Sequence, residues 1–480
     1  MTGGSRGRQS GAAATGGPRP TVPRELLRGL RTPLYRDALA LLLNSGVTSL
    51  IGVAYWTLAA RLTSPEVVGV NAALISALTA LASISHLGLE GALGGFLPRA
   101  GAATGALVKR AYVLATVLAV ASATAFVVVA PRLSAQLGDL ERPGMAVLFV
   151  AAVLTWSMFA LQDSVLTGLG RAVWIPLENI LYSAAKLVLV LALAAGLGGY
   201  GILVSWVVPA ALAVVPVLLA VFKVFIPAHL EAYGTEPARG TDLFRRFVAG
   251  DGLGMLLAQV HTALLPILVM EQAGAETAGR FYIPWMLVQS LDLVAVNIGM
   301  SLTVQGAHTQ DQLPSMFRRI LLRTLALVGL LVAGAIVAAP LVLALFGAGY
   351  ANASVEAFRI LLLGLLFRVV ITLAICAARA ERRPSVVVAL QAGLTAVLLP
   401  LAWRLTPGLG AAGAALAWTI GQVAVAGLAV FLVRHLLRDS RRPPGPARRG
   451  LVDQLSEVPG RRDVVFPVPA GALPLWNDPW

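Results

Sequence analysis

Apolar runs of about 20 residues, separated by short polar or Gly/Pro-rich intervals, organise this chain. A run of that length matches the hydrocarbon thickness of a bilayer when it is coiled into an α-helix. The runs predict twelve spanning helices: 38–60, 67–88, 108–130, 145–168, 178–196, 201–224, 247–270, 280–304, 319–346, 355–378, 385–403 and 411–434. The stretch 89–107 is the weakest; it either extends the second helix or lies flat on the membrane. Residues 1–36 are Gly/Arg/Pro-rich without an apolar core, which predicts a disordered basic tail rather than a cleaved signal peptide. Residues 437–480 predict a second tail, rich in Pro and Arg. Between the tails the pattern predicts six helices over 37–225, a linker over 226–246, and six more over 247–436.

Composition agrees with that pattern. The chain is 58% hydrophobic and only 12% charged, where a soluble domain carries about 25% charge. An integral membrane protein follows. The net charge of +14 lies mostly at the ends and in the loops, so it reports orientation and not nucleic-acid binding. With the N-terminus inside, fourteen loop Lys and Arg residues fall on the inner side and six on the outer. The positive-inside rule then places both termini in the cytoplasm. The single cysteine, Cys376, excludes a disulfide framework and a cysteine metal site. No glycine-rich phosphate loop, metal cluster or nucleophile–base pair stands out, so neither a cofactor nor an enzymatic activity is expected.

Three short motifs recur at a nearly constant interval. Leu197-Gly198-x-x-Gly201-x4-Trp206 returns as Leu409-Gly410-x-x-Gly413-x4-Trp418, offset 212. Glu66-x-x-Gly69 returns as Glu276-x-x-Gly279, offset 210, and Arg171-x4-Pro176 as Arg379-x4-Pro384, offset 208. Each half holds an even number of helices, so the second half enters the membrane in the same sense as the first. The expected fold is all-α, twelve transmembrane helices in two six-helix lobes related by a parallel internal repeat. Such repeats frame midplane binding sites in transporters; duplication kept for packing alone is the alternative.

Two cations stand mid-helix: Lys186 within Asn179–Gly196 and Arg368 within Val355–Ala378. At 1.5 Å per residue each lies more than about 10 Å from either helix end. A cation at bilayer centre costs about 2.5–3.5 kcal/mol on insertion scales, so it faces a bundle interior or a wet cavity. Either the pair receives an anionic group in a watery pocket between the lobes, or neighbouring acids neutralise it and fix packing. Asp292 and His261 also lie near mid-depth. Asp292 is a partner for Arg368 or a proton or sodium site; His261 is a packing residue or a proton relay. Asp163, Arg171, Glu178 and Asp251 lie nearer the predicted inner helix ends. They form either an inner gate of exchanging salt bridges or a solvated charge cluster. Trp156, Tyr182, Trp206 and Trp285 are sugar-stacking or core aromatics.

The stretch Phe159-Ala-Leu-Gln-Asp163-Ser-Val-Leu-Thr-Gly-Leu-Gly-Arg171-Ala-Val-Trp-Ile-Pro176-Leu-Glu178-Asn179, followed by Lys186, resembles bacterial polysaccharide-biosynthesis flippases of the Wzx type. These belong to the multidrug/oligosaccharidyl-lipid/polysaccharide (MOP) exporter superfamily, which includes the MATE transporters. Trp56-x3-Ala-Arg61-Leu-x-Ser64-Pro65-Glu66-x-x-Gly69, Phe96-Leu-Pro98-Arg99-Ala-Gly101, Leu265-Pro266 and Ser301-Leu-Thr-Val-Gln305-Gly-Ala are similar too, with Gln305 where the family pattern leads one to expect an acid. The resemblance spans roughly 36–436. It implies a MATE-like two-lobed fold and transport, across the bacterial plasma membrane, of undecaprenyl-pyrophosphate-linked oligosaccharide for surface-polysaccharide assembly. It also makes membrane lipids, a polysaccharide polymerase and glycosyltransferases candidate partners. With that substrate, Lys186 and Arg368 are the candidate pyrophosphate-binding residues, since sheltered cations offer a phosphate charge-assisted hydrogen bonds.

Other readings remain open on sequence. A drug/cation antiporter of the same superfamily is disfavoured by a cation, Lys186, at the centre of the first half. A lipid II flippase would be expected to carry a more basic cavity and often fourteen helices. A membrane glycosyltransferase or polymerase would need a sizeable outer loop, and the longest predicted here, Pro131–Gly144, has 14 residues. A membrane scaffold gives no reason for two mid-bilayer cations.

Overall fold

The computed structural model describes residues 33–439 apart from 87, 195, 234–240, 309–311 and 382; for some of these, 33–47 and 241–252 among them, it describes the backbone alone. The predicted tails at 1–36 and 437–480 fall almost wholly outside the described residues. Every regular element among the described residues is helical. In order these are α1 (Pro33–Leu62), α2 (Pro65–His86), α3 (Leu89–Phe96), α4 (Thr104–Leu133), α5 (Pro143–Gly168), α6 (Trp174–Leu193) and α7 (Gly201–Ala220). There follow α8 (Ile226–Tyr233), α9 (Thr241–His308), α10 (Leu313–Ala344), α11 (Ala348–Ala353), α12 (Val355–Ala380) and α13 (Pro384–Asp439). Nine helices among the described residues are long and apolar enough to cross a membrane. The chain is a multi-pass membrane protein.

Local chemistry sets the breaks. Ser64 and Pro65 start α2: the Ser64 carbonyl accepts from Val68 N at 3.1 Å, and Pro65 opens the helix where no amide bond is lost. Gly88 at φ 77° ends the path of α2. The ambiguous stretch therefore does not extend the second helix: α3 follows as a separate eight-residue helix, then a 3-10 turn, Leu97–Arg99. The loops expected at 271–279 and 404–410 are absent. In α9 the helix bends only at Gly274 (φ 85°, ψ 163°), and in α13 only at Gly410 (φ 54°, ψ −132°). A residue without Cβ turns the chain within one position, so two apolar runs meet with no loop between them. The predicted linker is helical over Ile226–Tyr233, after a π-helical turn at Val221–Phe225.

The residues from Asn44 onward form a compact unit. Within it, α2 packs chiefly on α9, and α12 on α13. Helices α2 and α12 are mostly buried, whereas α10 is mostly exposed and turns Leu330, Val337 and Leu341 outward, at 73%, 81% and 73% exposure. An apolar helix with such a face needs lipid around it.

Two of the recurring motifs occupy matching backbone environments. A Cβ on Gly69 would overlap the Ala275 carbonyl, and a Cβ on Gly279 would overlap the Pro65 carbonyl. The contact is reciprocal, with offset 210 on both sides. It lets α2 and the second arm of α9 touch backbone to backbone. Gly201 would likewise collide with Leu193 O, and Gly413 with Leu405 O, offset 212. The third motif falls in unlike places: Arg171 follows the end of α5, whereas Arg379 lies in the last turn of α12.

Candidate functional site

Helix α6 buries one stripe, Ile175, Glu178, Asn179, Tyr182, Ser183, Lys186 and Val190, at helical spacing. Leu177, Leu181, Val188 and Leu191 face outward on the other side. Lys186 therefore points into the protein, where it is fully buried. Its ammonium lies 4.1 Å from the ring centre of Trp206, 4.8 Å from that of Tyr182 and 5.5 Å from that of Tyr55. Ring faces lie against it, where the sequence predicts a watery pocket. Their negative quadrupoles stabilise a cation removed from water. The rings are themselves fixed. Tyr55 Oη donates to Ile202 O at 2.8 Å and lies 2.8 Å from Ser205 Oγ. Trp206 lies 5.7 Å from the Tyr55 ring and 5.7 Å from the Trp156 ring.

Arg368 meets a different environment. From α12 its Nε donates to Asp292 Oδ2 on α9 at 3.2 Å, and both side chains are buried. His261, also buried, donates from Nδ1 to Leu257 O at 2.8 Å, with Thr395 Oγ1 3.5 Å from the same nitrogen. It lies within electrostatic reach of Arg368. A hydrogen-bonded packing residue accounts for that geometry.

The four-residue gate does not assemble as expected. Asp163 and Glu178 are buried neighbours, and Gln162 Nε2 donates to Glu178 Oε1. Arg171 instead lies exposed, 5.6 Å over the Phe225 ring, which also contacts Trp174. Its turn after Gly170 (φ 71°) carries it away from the carboxylates. The side chains of Asp251 and Gln305 lie outside the described residues. Of the candidate stacking residues, Trp156, Tyr182, Trp206 and Trp285 are all buried, and Trp285 packs edge-on against Trp418 at 5.6 Å.

Two clusters escaped the sequence. His86 Nδ1 pairs with Glu90 Oε1 at 2.5 Å, while its Nε2 donates to Ser157 O at 3.0 Å; Ser157 Oγ and Ser85 Oγ lie 2.6 Å apart. The four-residue spacing of His86 and Glu90 was a signal, but Glu90 falls in the stretch that had no firm assignment. At the start of α7, Tyr200 Oη donates to Asp139 Oδ2, and Arg142 Nη1 lies 3.0 Å from Asp139 Oδ1. Burial and the adjoining carboxylate raise the Tyr200 pKa above the ordinary phenol range. Among the described residues, no group of three or more His, Cys, Asp or Glu is placed to hold a metal ion.

No family model matches the sequence, and no curated protein matches it. Solved structures do match in shape. The lipid II flippase MurJ in an inward closed conformation aligns with TM-score 0.64 at 12% identity, covering 91% of this chain and 97% of that one. An inward-facing multidrug resistance MATE family transporter of the MOP superfamily aligns with TM-score 0.63 at 16% identity, covering 84% and 99%. A MOP superfamily transporter from Pyrococcus furiosus aligns with TM-score 0.59 at 15% identity, covering 85% and 96%. The chain shares the all-helical fold of these solved transporters. These alignments cover nearly the whole of each solved chain.

Proposed function

We propose that this protein is a flippase of the bacterial plasma membrane that moves an undecaprenyl-pyrophosphate-linked oligosaccharide between leaflets by alternating access. The observation that carries the reading is a lysine, Lys186, buried on the inward face of α6 within a transporter fold. The lipid tail of such a substrate stays in hydrocarbon, whereas its pyrophosphate needs charge-assisted partners to cross. Lys186 supplies the cation; Arg368 is held with Asp292 and contributes only if that pair opens.

In this reading α9 and α13 each cross twice, turning at Gly274 and Gly410; with α1 and the other seven apolar helices this makes twelve passes. The two halves form six-helix lobes with both termini in the cytoplasm. Reciprocal contact of Gly69 with Gly279 supports that symmetry. Polymerase and glycosyltransferases are the proposed partners on either side of the transport step.

Deleting the gene should accumulate undecaprenyl-linked intermediates on the cytoplasmic face, and Lys186→Ala should reproduce that state with the protein still in the membrane. Export at wild-type level in Lys186→Ala removes the pyrophosphate role. The MurJ alignment supports lipid II as the nearest other substrate, tested by rescue of a strain depleted of its lipid II flippase. The buried Asp163–Glu178 pair supports a second reading, cation antiport. It predicts drug efflux that is lost in Glu178→Gln and untouched in Lys186→Ala.

A further inference from the structure

Where α2 crosses α9, the two halves of the chain meet backbone to backbone. Gly69 lies in the second turn of α2, and Gly279 lies five residues after the bend at Gly274 in α9. A Cβ on Gly69 would overlap the Ala275 carbonyl, and a Cβ on Gly279 the Pro65 carbonyl. Two neighbouring contacts also join the halves. Arg61, near the end of α1, donates from Nε to Leu345 O at the end of α10, 2.6 Å away. Trp56 of α1 packs on Tyr282 of α9 with ring centres 4.7 Å apart. The paired glycines of the other recurring motif behave differently: Gly201 crowds Leu193, and Gly413 crowds Leu405, each within its own half. Packing inside one half persists through any movement of the halves. A contact between them exists only while they are together, and such interfaces switch between arrangements instead of stretching.

We propose that Gly69 and Gly279 form a latch that closes this end of the transporter, the outer end in the topology that the basic residues predict, and that it parts when the protein opens there. The inference rests on alternating access as proposed above, and not on the identity of the substrate. Two positions without Cβ let α2 and α9 approach more closely than any other residue allows. A methyl on either glycine fills that contact, yet is harmless once the helices have separated. It raises the free energy of the closed state alone, so the population moves toward the open one. The contact is shared, so a second methyl enters a gap that the first has already opened. The two substitutions are therefore expected not to add.

The test is the distance between spin labels on cysteines placed at Glu66 and Glu276, in the full chain in nanodiscs. Both positions are exposed and stand one turn before their glycines, and Cys376 is buried away from the label. Wild type should give mainly the shorter distance. Gly69→Ala and Gly279→Ala should each raise the ratio of longer to shorter distance about fivefold to hundredfold, the range for one methyl too many in a packed contact. The double variant should stay within about twofold of the single ones. Gly329→Ala on α10, where a Cβ has open space among the described residues, should leave the ratio unchanged. A wild-type distance distribution in either folded alanine variant overturns the latch. Shifts that add in the double variant overturn it too, because they place the glycines in separate contacts. Failure of both single variants to fold has the same consequence, since a contact made in only one of two states is not needed for folding. The labels report opening without any substrate. Loss of the flippase reading in the accumulation assay therefore leaves the latch intact, and loss of the latch leaves that reading intact.

Discussion

Lys186 and Arg368 sit at similar depth in their apolar runs, one in each half, and their surroundings answer the same problem differently. Arg368 has a carboxylate: Asp292 lies 3.2 Å away, and the two charges are buried together. Lys186 has faces of rings, the nearest centre 4.1 Å from its nitrogen. A carboxylate cancels a charge, whereas a ring solvates it and leaves the charge itself in place. Arg368 ties α12 to α9; in the function proposed above, Lys186 is the cation that meets an incoming anion.

The comparison breaks most visibly through Arg368. Arg368→Ala leaves Asp292 buried without its arginine and should cost about 3–5 kcal/mol of stability, read as a large fall in melting temperature and in membrane-inserted protein. Replacing both partners, as Asp292→Leu with Arg368→Met, should recover most of that loss. A single variant as stable as wild type would mean that the pair does not hold the helices. Lys186→Met should behave in the opposite way, with melting temperature close to wild type and export abolished. If instead Lys186→Met unfolds the protein and Arg368→Ala is only inactive, the roles are reversed.

Lys186→Arg separates charge from shape. It keeps the charge but needs a wider, planar space between the rings, so partial export is expected. Full export would show that the space between the rings does not discriminate, and none would show that charge alone is insufficient. The smallest effect belongs to a site remote from both cations. Tyr200→Phe removes the bond to Asp139 and should cost about 1 kcal/mol. The folded state holds the Tyr200 proton more tightly than the unfolded chain, whose tyrosine titrates near 10. Its contribution is complete below that pH and is lost as pH rises through the folded-state value. The variant should therefore lose less stability than wild type on going to strongly alkaline pH.

Much of this was legible before any coordinates, and the parts that were not share a cause. Helix positions could be read because span length and apolar content are local properties. The inward placement of Lys186 followed from the cost of exposing a cation to lipid. The partner of Arg368 was only one possibility among several, since Asp292 is 76 positions away. Arg171 was expected beside Asp163 and Glu178 because the three lie close in sequence; a single left-handed glycine, Gly170, directs it to Phe225 instead. The His86–Glu90 pair stayed hidden because a helix break at Gly88 obscured its spacing.

By itself, then, the sequence determined that this chain crosses the membrane many times, where those crossings lie, and which charged side chains must be sheltered. These follow from transfer free energies summed over neighbours along the chain. Tertiary structure alone decided that Gly274 and Gly410 bend two long helices without loops, that Gly69 meets Gly279, and what lies against each cation. Those outcomes depend on which faces of distant helices meet. A helix records along its length which face is apolar, but not whether a ring or a carboxylate will arrive from the helix opposite.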